Sequence, residues 1–74
     1  MSNVAYVVAS EGNTWKLLHQ GRPAGEFPVE EQALDTAIGL AREAYGVGHD
    51  AVVVVKDENG SVREAWRHEH AADE

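Results

Sequence analysis

The sequence predicts an α+β fold in which one amphipathic helix packs on one face of a small antiparallel β-sheet. Short runs rich in valine, threonine and aromatic residues alternate with turn residues, which indicates several strands. One later segment repeats its apolar positions every three to four residues, which indicates a single helix. The 74 residues, 43% of them apolar, suit one packed domain over residues 1–74. The predicted order is strand, strand, short strand, helix, strand, strand.

Two runs near the start predict a β-hairpin. Residues 4–9 favour a strand, residues 10–13 favour a turn, and residues 14–19 resume the strand pattern. Alternation with a period of two then divides the second strand between the two faces of the sheet. One face receives Trp15, Leu17 and His19, and the other receives Lys16 and Leu18.

The segment between this hairpin and the helix contains strong turn residues. Two glycines and a proline within residues 20–25 favour a loop, because both residue types interrupt regular structure. Residues 26–27 can then form a short third strand. An extended segment of this kind would lead directly into the helix.

The helix is predicted from Val29 onward. Pro28 suits the start of a helix, and Gly46 or Gly48 can end it in a left-handed conformation. Gly39 inside the helix indicates either the close approach of another backbone or a tolerated defect that costs about 1 kcal/mol. The apolar stripe consists of Ala33, Leu34, Ala37, Ile38, Ala41, Ala44 and Tyr45.

The last third of the sequence predicts a second hairpin. Residues 51–55 are apolar on both faces, which is typical of a strand in the middle of a sheet. Asn59 and Gly60 favour a tight turn with positive φ angles, and residues 62–68 return with the mixed pattern of an edge strand. The ordered body is therefore expected over residues 4–68. Residues 69–74 lack periodicity and are expected to form a frayed tail.

A single helix covers only one face of a sheet. The other face is therefore expected to carry apolar side chains that exceed the patch size usual for a monomer. This argument predicts a homodimer formed through the sheet face or a sheet edge. The expected members of the exposed set are drawn from Tyr6, Val8, Trp15, Leu17, Val53 and Trp66.

Composition excludes some functions and favours a cytoplasmic protein. The chain has no cysteine, so it forms no disulfide framework and no thiolate metal site. No segment has the pattern of an export signal or of a membrane span, so no membrane association is expected. Thirteen acidic residues against six basic ones give a net charge of −7, which disfavours nucleic acid as a partner.

Several short motifs recur in an order typical of a known group of proteins. They are Tyr6-Val7-Val8, Gly12 shortly before Trp15, residues 25–27, the helical residues Glu31, Ala33, Ala37, Leu40, Ala41 and Arg42, Val53-Val54, and residues 59–64. This succession resembles the small bacterial family catalogued as domain of unknown function 2188, from about Val4 to about Trp66. The resemblance implies a compact protein of this strand and helix order. It implies no established activity.

No catalytic residues, cofactor or metal site are predicted, and the chain is not expected to be an enzyme. His68 and His70 are weak candidates for metal ligands, since two imidazoles separated by one residue point the same way on a strand. A zinc site needs three or four ligands, and the remaining ones would have to come from Glu64, His49 or a second copy. The alternative is a solvated strand end.

The sequence favours a non-enzymatic module that binds itself or another protein. Two alternatives remain open: a nucleic-acid-associated regulator that uses the last strand, and an acidic decoy that occupies a basic protein groove. Aromatic and arginine side chains dominate many interfaces, and they define the expected interaction surface. Its residues are Tyr6, Trp15, Arg63, Trp66 and Arg67.

Overall fold

The computed structural model describes residues 3–70, which form five strands and one helix. The elements in chain order are β1 (Asn3–Glu11), β2 (Thr14–His19), β3 (Arg22–Phe27), α1 (Glu30–Gly46), β4 (Asp50–Lys56) and β5 (Val62–His68). All five strands belong to one sheet, on which α1 packs. The α+β class is therefore confirmed.

The sheet is mixed, so the prediction of an antiparallel sheet was wrong. Its spatial order is β3-β2-β1-β4-β5, and β1 pairs with β4 in parallel while the other neighbours are antiparallel. Two hairpin reversals leave β3 running in the direction of β1. The helix then returns the chain to the starting end of the sheet, so β4 runs in that same direction beside β1. The two predicted hairpins therefore join into one continuous sheet.

The third strand is longer than the two residues predicted. It starts at Arg22, because Gln20 and Gly21 both adopt positive φ angles of 56° and 81° and close a two-residue turn. Pro23 lies within the strand, which is tolerated because β3 is at the edge of the sheet. The register between β2 and β3 shifts at a β-bulge between Leu17 and Leu18.

The core lies between α1 and one face of the sheet. Three alanines spaced four residues apart, Ala33, Ala37 and Ala41, are fully buried and bring the helix close to the strands. They pack on alternate residues of β1, β2 and β4, and larger side chains close the sides of this layer. The buried set is Val4, Tyr6, Val8, Leu17, Ala33, Ala37, Ala41, Ala51, Val53 and Val55.

The β4–β5 connection is wider than the tight Asn-Gly turn predicted. Gly60 has a φ of 86°, whereas Asn59 keeps a negative φ. The Asp57 carboxylate accepts hydrogen bonds from the backbone amides of Asn59 and Ser61, both at 3.0 Å. This side-chain bridge stabilises a longer loop, because aspartate readily binds backbone groups two residues ahead.

Both helix ends rely on the backbone. Val29 precedes the helix with an extended conformation and provides no side-chain cap. Gly46 is the last helical residue, and Gly48, with a φ of 109°, turns the chain toward β4. Gly39 is exposed, and a Cβ atom placed there meets no atom within 4 Å. Among the described residues, no backbone approaches Gly39, so within the single chain this glycine is a tolerated defect.

The predicted tail lies mainly outside the described residues, which end at His70. The backbone amide of His70 donates to the Asp50 carboxylate at 2.9 Å. Its ring nitrogen Nε2 lies 3.0 Å from the carbonyl oxygen of Tyr45, in the last turn of α1. These contacts attach the segment after β5 to the end of the helix.

Two glycine substitutions are expected to shift stability in opposite directions. Replacing Gly39 with alanine should stabilise the fold by about 1 kcal/mol, because the position is helical, exposed and sterically open. Replacing Gly21 with alanine should destabilise it by about 1 kcal/mol or more, because its φ of 81° suits only glycine. Urea denaturation of both variants measures the difference. A lower midpoint for Gly39→Ala would contradict this interpretation of the helix.

Candidate interaction surface

The three aromatic residues expected on the exposed surface lie on the helix side of the sheet. Tyr6 is only 7% exposed, and its ring stacks on that of His19 at 4.6 Å. Trp15 and Trp66 are half-buried and pack against the core. The expected exposure of Val8, Leu17 and Val53 was likewise wrong, because all three are buried. Alternation groups residues by face correctly, but it does not reveal which face the helix occupies.

The two arginines of the expected surface point to opposite sides of the sheet. Arg63 pairs in register with buried Val55, and its guanidinium lies 2.5 Å from the Glu30 carboxylate at the start of α1. Arg67 pairs in register with Val52, whose neighbours in β4 are buried. The five expected residues therefore do not form one continuous surface.

Arg67 is held by two carboxylates. Its guanidinium donates to Glu64 at 2.5 Å and also to Glu69. These hydrogen bonds, the larger contribution coming from Glu64, raise the pKa of Arg67. Each basic side chain of β5 is therefore already paired within the chain.

His68 and His70 contact an aromatic cluster at the end of α1. The His68 ring stacks on Trp66 at 4.6 Å and meets Tyr45 edge-on at 5.2 Å, while the His70 ring stacks on Tyr45 at 4.2 Å. No group of three or more potential metal ligands occurs among residues 3–70. Both imidazoles contact Tyr45, and these contacts connect β5 and the residues after it to the end of α1.

The side of the sheet opposite α1, here called the open face, carries an apolar row. Val7 in β1 lies between Leu18 in β2 and Val54 in β4, and Leu18 in turn pairs with Pro23 in β3. Beside this row, Ala5 pairs with Val52. Along β1 and β4 the residues of the open face alternate with residues of the buried set, as the pleat requires. No helix or strand within residues 3–70 packs on it.

Charged residues of both signs surround this row. The open face includes the basic side chains of Lys16, Lys56 and Arg67 and the acidic side chains of Glu11, Glu26 and Glu64. Lys16 lies 2.6 Å from the Glu11 carboxylate, and this hydrogen bond raises the pKa of Lys16. The Asp50 carboxylate also lies on this side of β4, and Glu69 contacts Arg67 beside it, so acidic side chains outnumber basic ones here as they do in the whole chain.

Sequence reasoning missed Val7, Val52 and Val54, which are half-buried side chains of the open face. A signal was present, because residues 51–55 are apolar at every position and one of their two faces must lie away from the helix. Leu18 had been assigned correctly to the face opposite Trp15 and Leu17. The pairing of Leu18 with Val7 places it in the apolar row.

Two clefts of about 180 Å³ each lie at opposite ends of the sheet, one beside Trp15 and Arg63 and the other beside Asn3 and Arg67. Ligand pockets usually span about 300 to 1,000 Å³. Among the described residues, no helix is long and apolar enough to cross a membrane. The apolar row of the open face makes that face the candidate interaction surface.

The pKa of Tyr6 provides a probe of the covered face. Burial beneath α1, with a smaller contribution from the Glu43 carboxylate, raises the pKa of this phenol above its ordinary value of 10.0. As pH rises through that value, the unfolded chain loses the Tyr6 proton before the folded chain does. Stability associated with the neutral phenol is thus present below about pH 10 and is lost above it.

The Tyr6→Phe variant is expected to lose less stability at high pH than the native chain. The free energy of unfolding of both proteins, measured by urea denaturation at about pH 8 and about pH 11, gives this difference. Lys16 and Arg67 also have raised pKa values, but they contribute equally to both proteins. An identical decline in the two proteins would contradict the burial of the Tyr6 hydroxyl region.

The family described as uncharacterised proteins conserved in bacteria, domain of unknown function 2188, matches the chain over residues 5–68. The match begins within β1 and extends to the end of β5. No curated protein and no solved structure matches the chain.

Proposed function

The chain belongs to the bacterial family of domain of unknown function 2188, and we propose that it is a non-enzymatic module that self-associates through its open face. The apolar row of Val7, Leu18 and Val54 carries this proposal. A sheet that faces water on one side normally alternates apolar and polar residues. Here the interior strands present apolar side chains on both sides.

The proposed occupant of the open face is a second copy of the chain. Five strands about 4.8 Å apart and about six residues long provide a footprint of about 500 Å² per copy. Two copies would bury about 1,000 Å², at the lower limit of specific interfaces. The expected product is a symmetric dimer of modest affinity.

Charge also favours a second copy over a strongly charged partner. Like-charged chains of net charge −7 repel each other, so contact is easiest where the local charge is balanced. The open face carries Lys16, Lys56 and Arg67, three of the six basic residues of the chain, and they offset part of its acidic charge. The exposed positions of α1 include the acidic residues Glu31, Asp35 and Glu43, which remain on the outside when two open faces meet.

The arrangement of the basic residues gives less support to the nucleic-acid alternative. A phosphate-binding stripe needs basic side chains on one side. Arg63 and Arg67 lie on opposite faces and are each paired with a carboxylate. For the acidic decoy, no feature of residues 3–70 distinguishes the acidic side chains from ordinary solvated surface charge.

A lysine in the apolar row should weaken the contact. The Leu18→Lys variant is expected to have a lower mass in solution than the native chain, because the interface would bury an unpaired charge. Lysine reduces the net negative charge, so increased repulsion between copies cannot explain the loss. Sedimentation equilibrium at high micromolar concentration measures both masses.

Thr36→Lys is the matched control, since it adds the same charge at an exposed position of α1. It should leave the mass unchanged. Circular dichroism establishes that both variants remain folded. Equal masses for the native chain and Leu18→Lys, or a native mass of 8.0 kDa throughout, would overturn the proposal.

A further inference from the structure

The outer edge of β5 is free of any other strand within the described residues. β5 is the last strand in the sheet order, and most of its side chains are exposed. The opposite edge, formed by β3, contains Pro23, which has no backbone N–H to donate. Of the two edges, β5 is the one that has a backbone N–H at every position.

A bulge gives β5 an unusual distribution of side chains. Val53 pairs with Trp66 and Val54 pairs with Glu64, so Ala65 is an extra residue. In a regular strand, residues 64 and 67 would lie on opposite faces. The extra residue places Glu64 and Arg67 on the same open face, where they form their ion pair.

This distribution is self-complementary under two-fold symmetry. When two β5 strands run antiparallel with the axis between Ala65 and Trp66, Glu64 lies opposite Arg67 of the second copy. The same pairing occurs a second time on the other side of the axis. Arg63 and His68, which both lie on the helix side, also become opposite each other, so the two faces of the joined sheets remain continuous.

We propose that β5 pairs with β5 of a second copy in this register and joins two sheets into one of ten strands. The inference rests on the self-association proposed above and adds a contact that is separate from the open face. Ladder hydrogen bonds supply the attraction along the edge. The two Glu64–Arg67 pairs across the axis fix the register, since exposed ion pairs contribute specificity more than affinity.

The pairing exchanges one of the two carboxylate partners that Arg67 has in the single chain, Glu64 and Glu69. In the single chain the Arg67 guanidinium already contacts Glu64, so the joined pair replaces two ion pairs within chains by two between chains. Ala65 of one copy then lies opposite half-buried Trp66 of the other, which covers part of the indole that remains exposed. Isologous contacts at the open face and at this edge can combine into a closed tetramer.

Charge reversal tests the register, with Leu18→Lys as the background so that only the edge contact remains. This background chain is expected to be a dimer. Adding Glu64→Arg or Arg67→Glu should weaken dimerisation on the order of tenfold, because each change creates two like-charged pairs across the axis. The combined Glu64→Arg and Arg67→Glu variant should restore it. Sedimentation equilibrium measures each dissociation constant.

Glu31→Arg and Arg42→Glu are matched controls, because they make the same charge changes at exposed positions of α1. They should leave the edge dimer unchanged. Equal effects of the control and test variants, or no recovery in the combined variant, would overturn the proposed register.

Cysteines provide a direct readout, because the chain has none of its own. A mixture of Glu64→Cys and Arg67→Cys chains should form a disulfide between copies much faster than either variant alone. Equal rates in the mixture and in the separate variants would contradict the pairing of residues 64 and 67.

The two proposals fail in different ways. A Leu18→Lys mass of 8.0 kDa, with a larger native mass, overturns the edge contact and supports the open face. Equal masses above 8.0 kDa for the two proteins overturn the open face and support a contact elsewhere, which the charge reversals then assign or reject at β5. A native mass of 8.0 kDa overturns both proposals.

Discussion

The packing of α1 on one side of the sheet is the constraint on which the rest of the structure depends. Ala33, Ala37 and Ala41 are small enough to bring the helix against buried residues such as Val8 and Val53. A second helix would be needed to cover the opposite side, and the described chain contains only one. The apolar residues of the open face follow from this arrangement, and they give the protein its most distinctive surface.

The same packing explains why the aromatic residues lie on the covered side of the sheet. Tyr6, Trp15 and Trp66 fill the space beside the narrow alanine stripe, where larger side chains are needed to complete the core. His19, His68 and His70 extend this layer by ring stacking, and His70 also approaches the last turn of α1. The aromatic residues that suggest binding in the sequence therefore contribute to the packed layer. The open face instead carries Val7, Val54 and Leu18.

Much of the fold could be predicted because it depends on local patterns. The helical stripe, the interior position of β4 and the edge position of β5 follow from periodicity and from apolar content on each face. The parallel pairing of β1 with β4 could not be predicted, because it joins segments more than 40 residues apart and depends on the path of the helix. The positive φ of Gln20 was also missed, since glutamine is not a typical residue for such a turn. An uncovered sheet face was predicted, but the aromatic side chains expected on it, Tyr6, Trp15 and Trp66, lie on the side that α1 covers.

Contacts between methyl groups of different copies test the central claim most directly. In a mixture of isotopically labelled and unlabelled chains, filtered nuclear Overhauser spectra detect only contacts between copies. The one-sided packing of α1 predicts such contacts at the methyl groups of Val7, Leu18 and Val54. Spectra without them at a concentration near one millimolar, or with contacts confined to exposed positions such as Val47 at the end of the helix, would contradict the account.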